Sequence, residues 1–220
     1  MKHRFHEDIK LLKQKILEMS FMAEEAVSHA CDALFSGDED LAQEVIQNEP
    51  LINSLEIEID ERGHSLFVLG QPMAGDLRLI TMILKINTDL ERMGDHAVNI
   101  AEKSLFIMKE PPFPIGEQME KMSGAVQRML RDALDAFLKE DEILAQTVLK
   151  RDDEVDDYNK KLYYQISEVM GKDSSRVNAG VNLLMVSHNL ERIADLSSNI
   201  AEDVIYLKQG REVRHRVQTG

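Results

Sequence analysis

Asp89-Leu-Glu-Arg-Met-Gly-Asp-His-Ala-Val-Asn-Ile-Ala-Glu102 and Asn189-Leu-Glu-Arg-Ile-Ala-Asp-Leu-Ser-Ser-Asn-Ile-Ala-Glu202 are one stretch of sequence written twice, 100 residues apart and without a gap. Leu90, Glu91, Arg92, Asp95, Asn99, Ile100, Ala101 and Glu102 recur unchanged. A repeat this close means that one structural unit occurs twice. Its polar positions are spaced for a helix. At about 100° per residue, Glu91, Asp95, Asn99 and Glu102 fall within roughly an 80° arc. Leu79, Ile83, Ile86, Leu90, Ala97 and Ala101 cluster elsewhere on the cylinder, as the core face. Glu191, Asp195, Asn199 and Glu202 repeat the polar stripe, with His188 at its edge where the first copy has Thr88. Two carboxylates at i, i+4 lie about 5–6 Å apart and repel by a few tenths of a kcal/mol unless a cation lies between them.

The repeat extends outward. Phe5 to Phe35 has the apolar spacing of a long helix, ended by Gly37, and Asp38 is placed to cap the next. That second helix passes through Leu41, Val45 and Ile46, meets Pro50, and resumes through Leu55, Ile59 and Leu66. Pro50 is expected to kink or break it, having no amide hydrogen and a ring that clashes one turn back. Leu69 to Asp76 is turn chemistry, and a third helix from about Asp76 to Lys109 carries the motif. Glu110-Pro-Pro-Phe-Pro-Ile-Gly116 puts three prolines in four residues and cannot be helix. Beyond it the pattern restarts: Asp38, Glu39, Leu41, Ala42, Gln43 and Val45 recur as Asp141, Glu142, Leu144, Ala145, Gln146 and Val148, an offset of 103. The second copy therefore loses three residues before its motif helix, at the turn Met170 to Ser175. The expected fold is all-α, two three-helix bundles side by side about a pseudo-twofold axis, spanning 1–112 and 113–220. The polar tail from Arg211 to Gly220 is expected to fray.

Composition excludes several functions. A net charge of −14 and a pI near 4.9 argue against nucleic acid and against docking on an anionic membrane. A single cysteine, Cys31, rules out a disulfide framework and a multi-cysteine zinc site. No apolar run is long enough to cross a bilayer, no signal peptide is visible, and a soluble cytoplasmic protein is expected.

Gln71-Pro-Met-Ala-Gly-Asp-Leu-Arg78 followed by Asp89-Leu-Glu-Arg-Met-Gly-Asp-His96 resembles the first-repeat signature of PhoU proteins. Asn189-Leu-Glu-Arg-Ile-Ala-Asp195 followed by Ile200-Ala-Glu-Asp-Val-Ile-Tyr206 resembles the second, and the match runs from about Phe5 to His215. The resemblance implies a cytoplasmic six-helix regulator that restrains the phosphate-starvation response. It would do so by contacting a phosphate-import ABC transporter, through its ATPase subunit, and the partner sensor histidine kinase. A homodimer is expected. The family's Glu/Asp-x-x-x-Asp motif holds metal ions in some members and maps to Glu91 with Asp95 and to Glu191 with Asp195. The sequence departs from the family pattern at Ala194 and Leu196, where Gly and His are usual.

The expected metal ligands are thus Glu91, Asp95, Asn99, Glu191, Asp195 and Asn199. Oxygen donors with at most one histidine suit Mg²⁺, Mn²⁺, Ca²⁺ or iron better than zinc. The competing reading is a pair of intrahelical salt bridges, Arg92 to Asp95 and Arg192 to Asp195. A second stripe of Arg78, Lys85, Arg92, His96 and Lys103 is not shared by the second copy, and either meets phosphate or an acidic partner or pairs with neighbouring helices. Glu61-x-x-His64 matches half of a di-iron site, but Tyr164 and Ser167 stand at the equivalent places. No nucleophile–base pair, phosphate-cradling Gly loop or HExxH motif is present. A binding protein without catalytic activity is expected; the alternatives are a metal-dependent carboxylate enzyme, or an accessory protein of a sodium-coupled phosphate carrier.

Overall fold

The computed structural model describes residues 2–70, 72–114 and 116–209. Gln71 and the tail read as fraying lie outside them. Every regular element among the described residues is helical: α1 (Lys2–Ser36), α2 (Glu39–Gly70), α3 (Ala74–Ile107), α4 (Glu117–Lys139), α5 (Glu142–Leu149), α6 (Asp152–Lys172), a 3₁₀ turn (Ser174–Arg176) and α7 (Val177–Gln209). Helices α1, α2 and α3 pack on one another, and α4 to α7 form a second bundle in which α5 and α6 together take the place of α2.

The helix ends follow their sequence signals. The Leu41 amide donates to Asp38 Oδ1 at 3.0 Å, and Asp141 accepts from the Ile143 and Leu144 amides at 3.0 and 3.1 Å. These aspartates are the same residue in the two copies. Just before each cap the chain enters the left-handed region, at Gly37 (φ 71°) and at its counterpart Glu140 (φ 49°). Glycine does this without strain; Glu140 does not.

Pro50 neither breaks the second helix nor marks where the break falls. Helix α2 runs through it, giving up one backbone hydrogen bond. The break is in the other copy, which has no proline there, between Leu149 and Asp152. Its cause is charge order and a tertiary contact. Lys150 and Arg151 stand where a helix end carries partial negative charge, and Asp152, Asp153 and Glu154 fill the positive first turn of α6. Arg151 also reaches out to pair with Asp132 of α4.

The two bundles share one hydrophobic core. They are joined along α3 and α7, with a lesser contact between α1 and α4. Lys85 of α3 pairs with Asp203 of α7, and the His96 ring nitrogen Nδ1 lies 2.8 Å from Asn189 Oδ1. Moving up α3 from Lys85 to His96 is moving down α7 from Asp203 to Asn189, so the helices are antiparallel. The repeat-related residues at their crossing are Met93 and Ile193, both with 0% of their surface exposed. At α1–α4, Arg131 Nε donates to Glu24 Oε1 at 2.9 Å, and the buried Cys31 thiol, raised to about 11 by burial, contacts Ser123 and Gln127.

Packing also accounts for the departure at Ala194. A Cβ on Gly94 would lie 3.1 Å from Ile52 Cδ1, tighter than the core tolerates without a shift. At the corresponding places of the second copy stand Val155 and Ala194, both buried: a methylene is lost on one helix and a methyl gained on the other. Gly94→Ala and Ile52→Val should therefore be coupled. The first alone adds overpacking of about 1–3 kcal/mol against a helix-propensity gain of about 1 kcal/mol, and the second alone costs about 0.5–1.5 kcal/mol. The double variant is expected to be more stable than the sum of the singles by about 1 kcal/mol. Urea unfolding of the four proteins measures this, and strict additivity would show that the contact does not set the residue choice.

Candidate acidic faces and the helix seam

Helix α3 presents an outward face whose chemistry changes across its width. On the side toward α2, Glu91 is half-buried. Its carboxyl is pushed above the ordinary range by burial first, then by the negative charge of Asp95, Glu56 and Glu49, with Arg92 opposing. Glu49 and Glu56 lie on α2, at a spacing that puts Asn53 on the same face between them. The Asn53 Oδ1 is buried without a hydrogen-bond partner among the described residues. Asn87 ties the two helices together by donating to the Glu56 carbonyl at 2.9 Å.

The second copy repeats this face with different acids. Asp195 is raised by burial, with Arg192 opposing and Glu191 and Asp156 adding to the rise. Asp152 is raised by burial and by Asp195, Asp156 and Asp153, against a 3.2 Å hydrogen bond donated by Ser198. Asp152 and Asp156 lie on α6, at the places that Glu49 and Asn53 hold on α2.

The expected ligands are thus distributed unevenly. Glu91 with Asp95, and Glu191 with Asp195, stand on faces that other acids reach. Asn99 and Asn199 are exposed, as is Glu102, whereas Glu202 is partly buried. The acids contributed by α2 and α6 were missed by reading the motif alone. The signal for them was the 103-residue offset, which turns Glu49 into Asp152. Among the described residues no three His, Cys, Asp or Glu side chains converge closely enough to hold one metal ion as they stand. The salt-bridge reading holds in one copy: Arg192 donates to Asp195 Oδ2 at 2.9 Å, and no matching pair joins Arg92 to Asp95 among the described residues. His188 lies 3.2 Å from Glu191 Oε2.

Two domains of the PhoU type, matched by the family profile at residues 16–104 and 119–204, account for both acidic faces and the seam between them. The chain belongs to the PhoU family. It is 36% identical over 210 residues to the phosphate-specific transport system accessory protein PhoU homolog of Clostridium acetobutylicum, covering 95% of this chain and 96% of that one. It is 31% identical over 212 residues to the Escherichia coli protein of that name, covering 96% and 88%. The crystal structure of PhoU from Pseudomonas aeruginosa superposes with a TM-score of 0.90 at 34% identity, covering 94% of this chain and all 100% of that one. The phosphate transport system regulatory protein PhoU of Streptococcus pneumoniae gives 0.88 at 32% identity, covering 95% and 99%. No helix among the described residues is long and apolar enough to cross a membrane.

Toward α7 the same outward face turns basic. Lys85 is engaged by the buried Asp203, and half-buried His96 is held by Asn189, whose own amide donates to the Met185 carbonyl at 2.7 Å. Burial, together with the nearby Arg192 and Arg92, lowers the His96 pKa against the pull of Asn189 and Asp95. Part of the basic stripe on α3 is therefore structural, pairing with the other repeat.

Proposed function

We propose that the chain is an accessory protein of phosphate transport that restrains the phosphate-starvation response through contacts with other proteins. The observation that carries this is the near end-to-end likeness to relatives named as phosphate-specific transport system accessory proteins, with both copies of the motif included. In this reading the protein works in the cytoplasm as a homodimer, docks on the ATPase subunit of a phosphate ABC transporter, and communicates with the partner sensor histidine kinase. Its work is binding, without turnover of a substrate.

The acidic faces serve as cation sites in the same reading. Glu91, Asp95 and Asn99 of α3 would act with Glu49 and Glu56 of α2, and Glu191, Asp195 and Asn199 of α7 with Asp152 and Asp156 of α6. The all-oxygen donor set fits Mg²⁺, Mn²⁺, Ca²⁺ or iron better than Zn²⁺. The raised carboxyls of Glu91, Asp152 and Asp195 and the unpartnered Asn53 Oδ1 fit a bound cation, which would relieve the crowding of negative charge. Gathering the ligands requires side chains to rotate inward from α2 and α6. The cation then supplies a cross-link between each motif helix and its neighbour.

The test is made in the source cell grown with abundant phosphate. Deleting the gene is expected to switch on a phosphate-starvation reporter, and the intact gene restores silence. Tagged protein from the same cells is expected to retain the transporter's ATPase subunit. A silent reporter with no transporter subunit recovered would overturn the reading. Recovery of a sodium-coupled phosphate carrier instead would replace the ABC importer as partner.

A further inference from the structure

Ion pairs tie the two repeats together at both of their contacts, and each runs in one direction only. Lys85 of α3 pairs with Asp203 of α7, a residue with 5% of its surface exposed. At the lesser contact Arg131 of α4 pairs with Glu24 of α1 at 2.9 Å. Both crossings are antiparallel. Going from Lys85 to His96 on α3 is going from Asp203 back to Asn189 on α7. Going from Glu24 to Cys31 on α1 is going from Arg131 back to Ser123 on α4. An antiparallel crossing between two copies of one unit is nearly symmetric, so each cross-repeat pair has a counterpart built from the equivalent residues. The counterpart of Lys85 with Asp203 is Met185 with Lys103, at the offset of 100. That of Glu24 with Arg131 is Gln127 with Ser28, at the offset of 103. Neither counterpart can form an ion pair.

This asymmetry decides what the seam accepts. With the α3 of a second copy in the place of α7, the same register sets Lys85 against Lys103 at both ends of the crossing. With a second α7 in the place of α3, the buried Asp203 faces Met185, and a buried carboxylate stripped of its cation is strongly disfavoured. A second α1 offers Ser28 to Glu24, and a second α4 offers Gln127 to Arg131. His96 takes no part in the choice, because a second α3 would offer it Asp89 in place of Asn189. We propose that Lys85, Asp203, Glu24 and Arg131 are the residues by which the first repeat recognises the second, and that they close the seam to the like repeat of a second copy. A second copy can enter the seam only by exchanging a whole repeat, first against second. The homodimer of the proposed function then forms on another face. The inference needs only the helix crossings and does not rest on the transporter reading.

The experiment is charge reversal in the full-length chain, read by thermal melting and by sedimentation equilibrium over about 1–100 μM protein. Lys85→Glu sets a second carboxylate against Asp203 and should lower the melting midpoint by roughly 5–10 °C. The same change makes α3 complementary to its own kind, because the new glutamate meets Lys103 of a second α3 at both ends of the crossing. Association beyond the parent's own state is therefore expected to tighten at least about tenfold. Adding Lys103→Glu should abolish that extra association without restoring the midpoint. Adding Asp203→Lys instead should restore most of the midpoint and return association to the parent's level. A Lys85→Glu protein that loses stability but associates no more than the parent would overturn the proposal, as would extra association that survives Lys103→Glu. Should Lys85→Glu alone not fold, its pairing with Asp203→Lys decides: a folded chain with the midpoint restored supports the recognition, and an unfolded one overturns it.

Discussion

Manganese(II) added at about one hundred times its dissociation constant should raise the unfolding free energy of chelator-treated protein by about 2.7 kcal/mol for each acidic face that binds it. For a chain of this length that corresponds to roughly 5–11 °C in melting temperature per site. Glu91→Ala with Asp95→Ala should remove the share of the first repeat, and Glu191→Ala with Asp195→Ala that of the second. The first pair should hardly weaken the metal-free protein, because it deletes like charges that repel by a few tenths of a kcal/mol; the second also breaks the Arg192–Asp195 pair, at a cost of about 0.2–0.5 kcal/mol. A calorimetric melt that does not move with manganese would return these faces to the status of solvated surface.

The pH dependence gives a second reading of the same charges. Glu91, Asp152 and Asp195 have raised carboxyl pKa values in the folded protein, against ordinary values of 4.5, 3.8 and 3.8. The folded state then binds their protons more tightly than the unfolded chain. Above the folded pKa values their ionisation costs stability in full, and acidification through the window down to the ordinary values restores it. A bound cation holds them ionised and reverses the sign: stabilisation present at neutral pH is lost as pH falls. Glu58, Glu117, Glu168 and Asp173 are lowered by hydrogen-bonded partners and slope the other way, with or without metal. Comparison with Glu91→Gln and Asp195→Asn isolates the acidic faces. Their metal-free melts should lie above the parent's at pH 7 and converge on it in acid; coincident curves at every pH would remove the electrostatic argument.

Ile193→Ala should cost about 2–5 kcal/mol, the range for emptying a fully buried aliphatic site. At about 2–4 °C per kcal/mol the melting temperature falls by roughly 4–20 °C. The more telling expectation is the shape of the transition. Ile193 belongs to the second repeat but stands at the crossing with α3, inside a core that includes both bundles. The whole chain should therefore unfold in one step, with calorimetric and van't Hoff enthalpies equal, in the parent and in the variant alike. Two separated transitions, with only one displaced by the substitution, would mean that the repeats are independent domains.

Much of this molecule is written locally. The three-and-four spacing of apolar residues yields long helices, Asp38 and Asp141 mark their starts, and the recurrence of Glu91 to Glu102 at Glu191 to Glu202 declares two copies of one unit. These signals are readable because helix periodicity and capping depend on residues within a few positions of each other. The i, i+4 spacing also places the carboxylates of Glu91 and Asp95 on one helix face. What the sequence by itself could not decide was which neighbours these faces meet. Pro50 is expected to kink or break α2, yet α2 runs through it, and the break falls in the other copy at Lys150 and Arg151, where charge order and the reach of Arg151 to Asp132 act together. The acids opposite the motif, Glu49 and Glu56 or Asp152 and Asp156, were visible as letters but not as partners, because their place depends on how α2 and α6 rotate against α3 and α7. The basic stripe was ambiguous for the same reason. Only the antiparallel crossing at Met93 and Ile193 assigns Lys85 to Asp203 and His96 to Asn189. Contacts between residues about a hundred positions apart are set by the packing of whole helices, which no local pattern encodes.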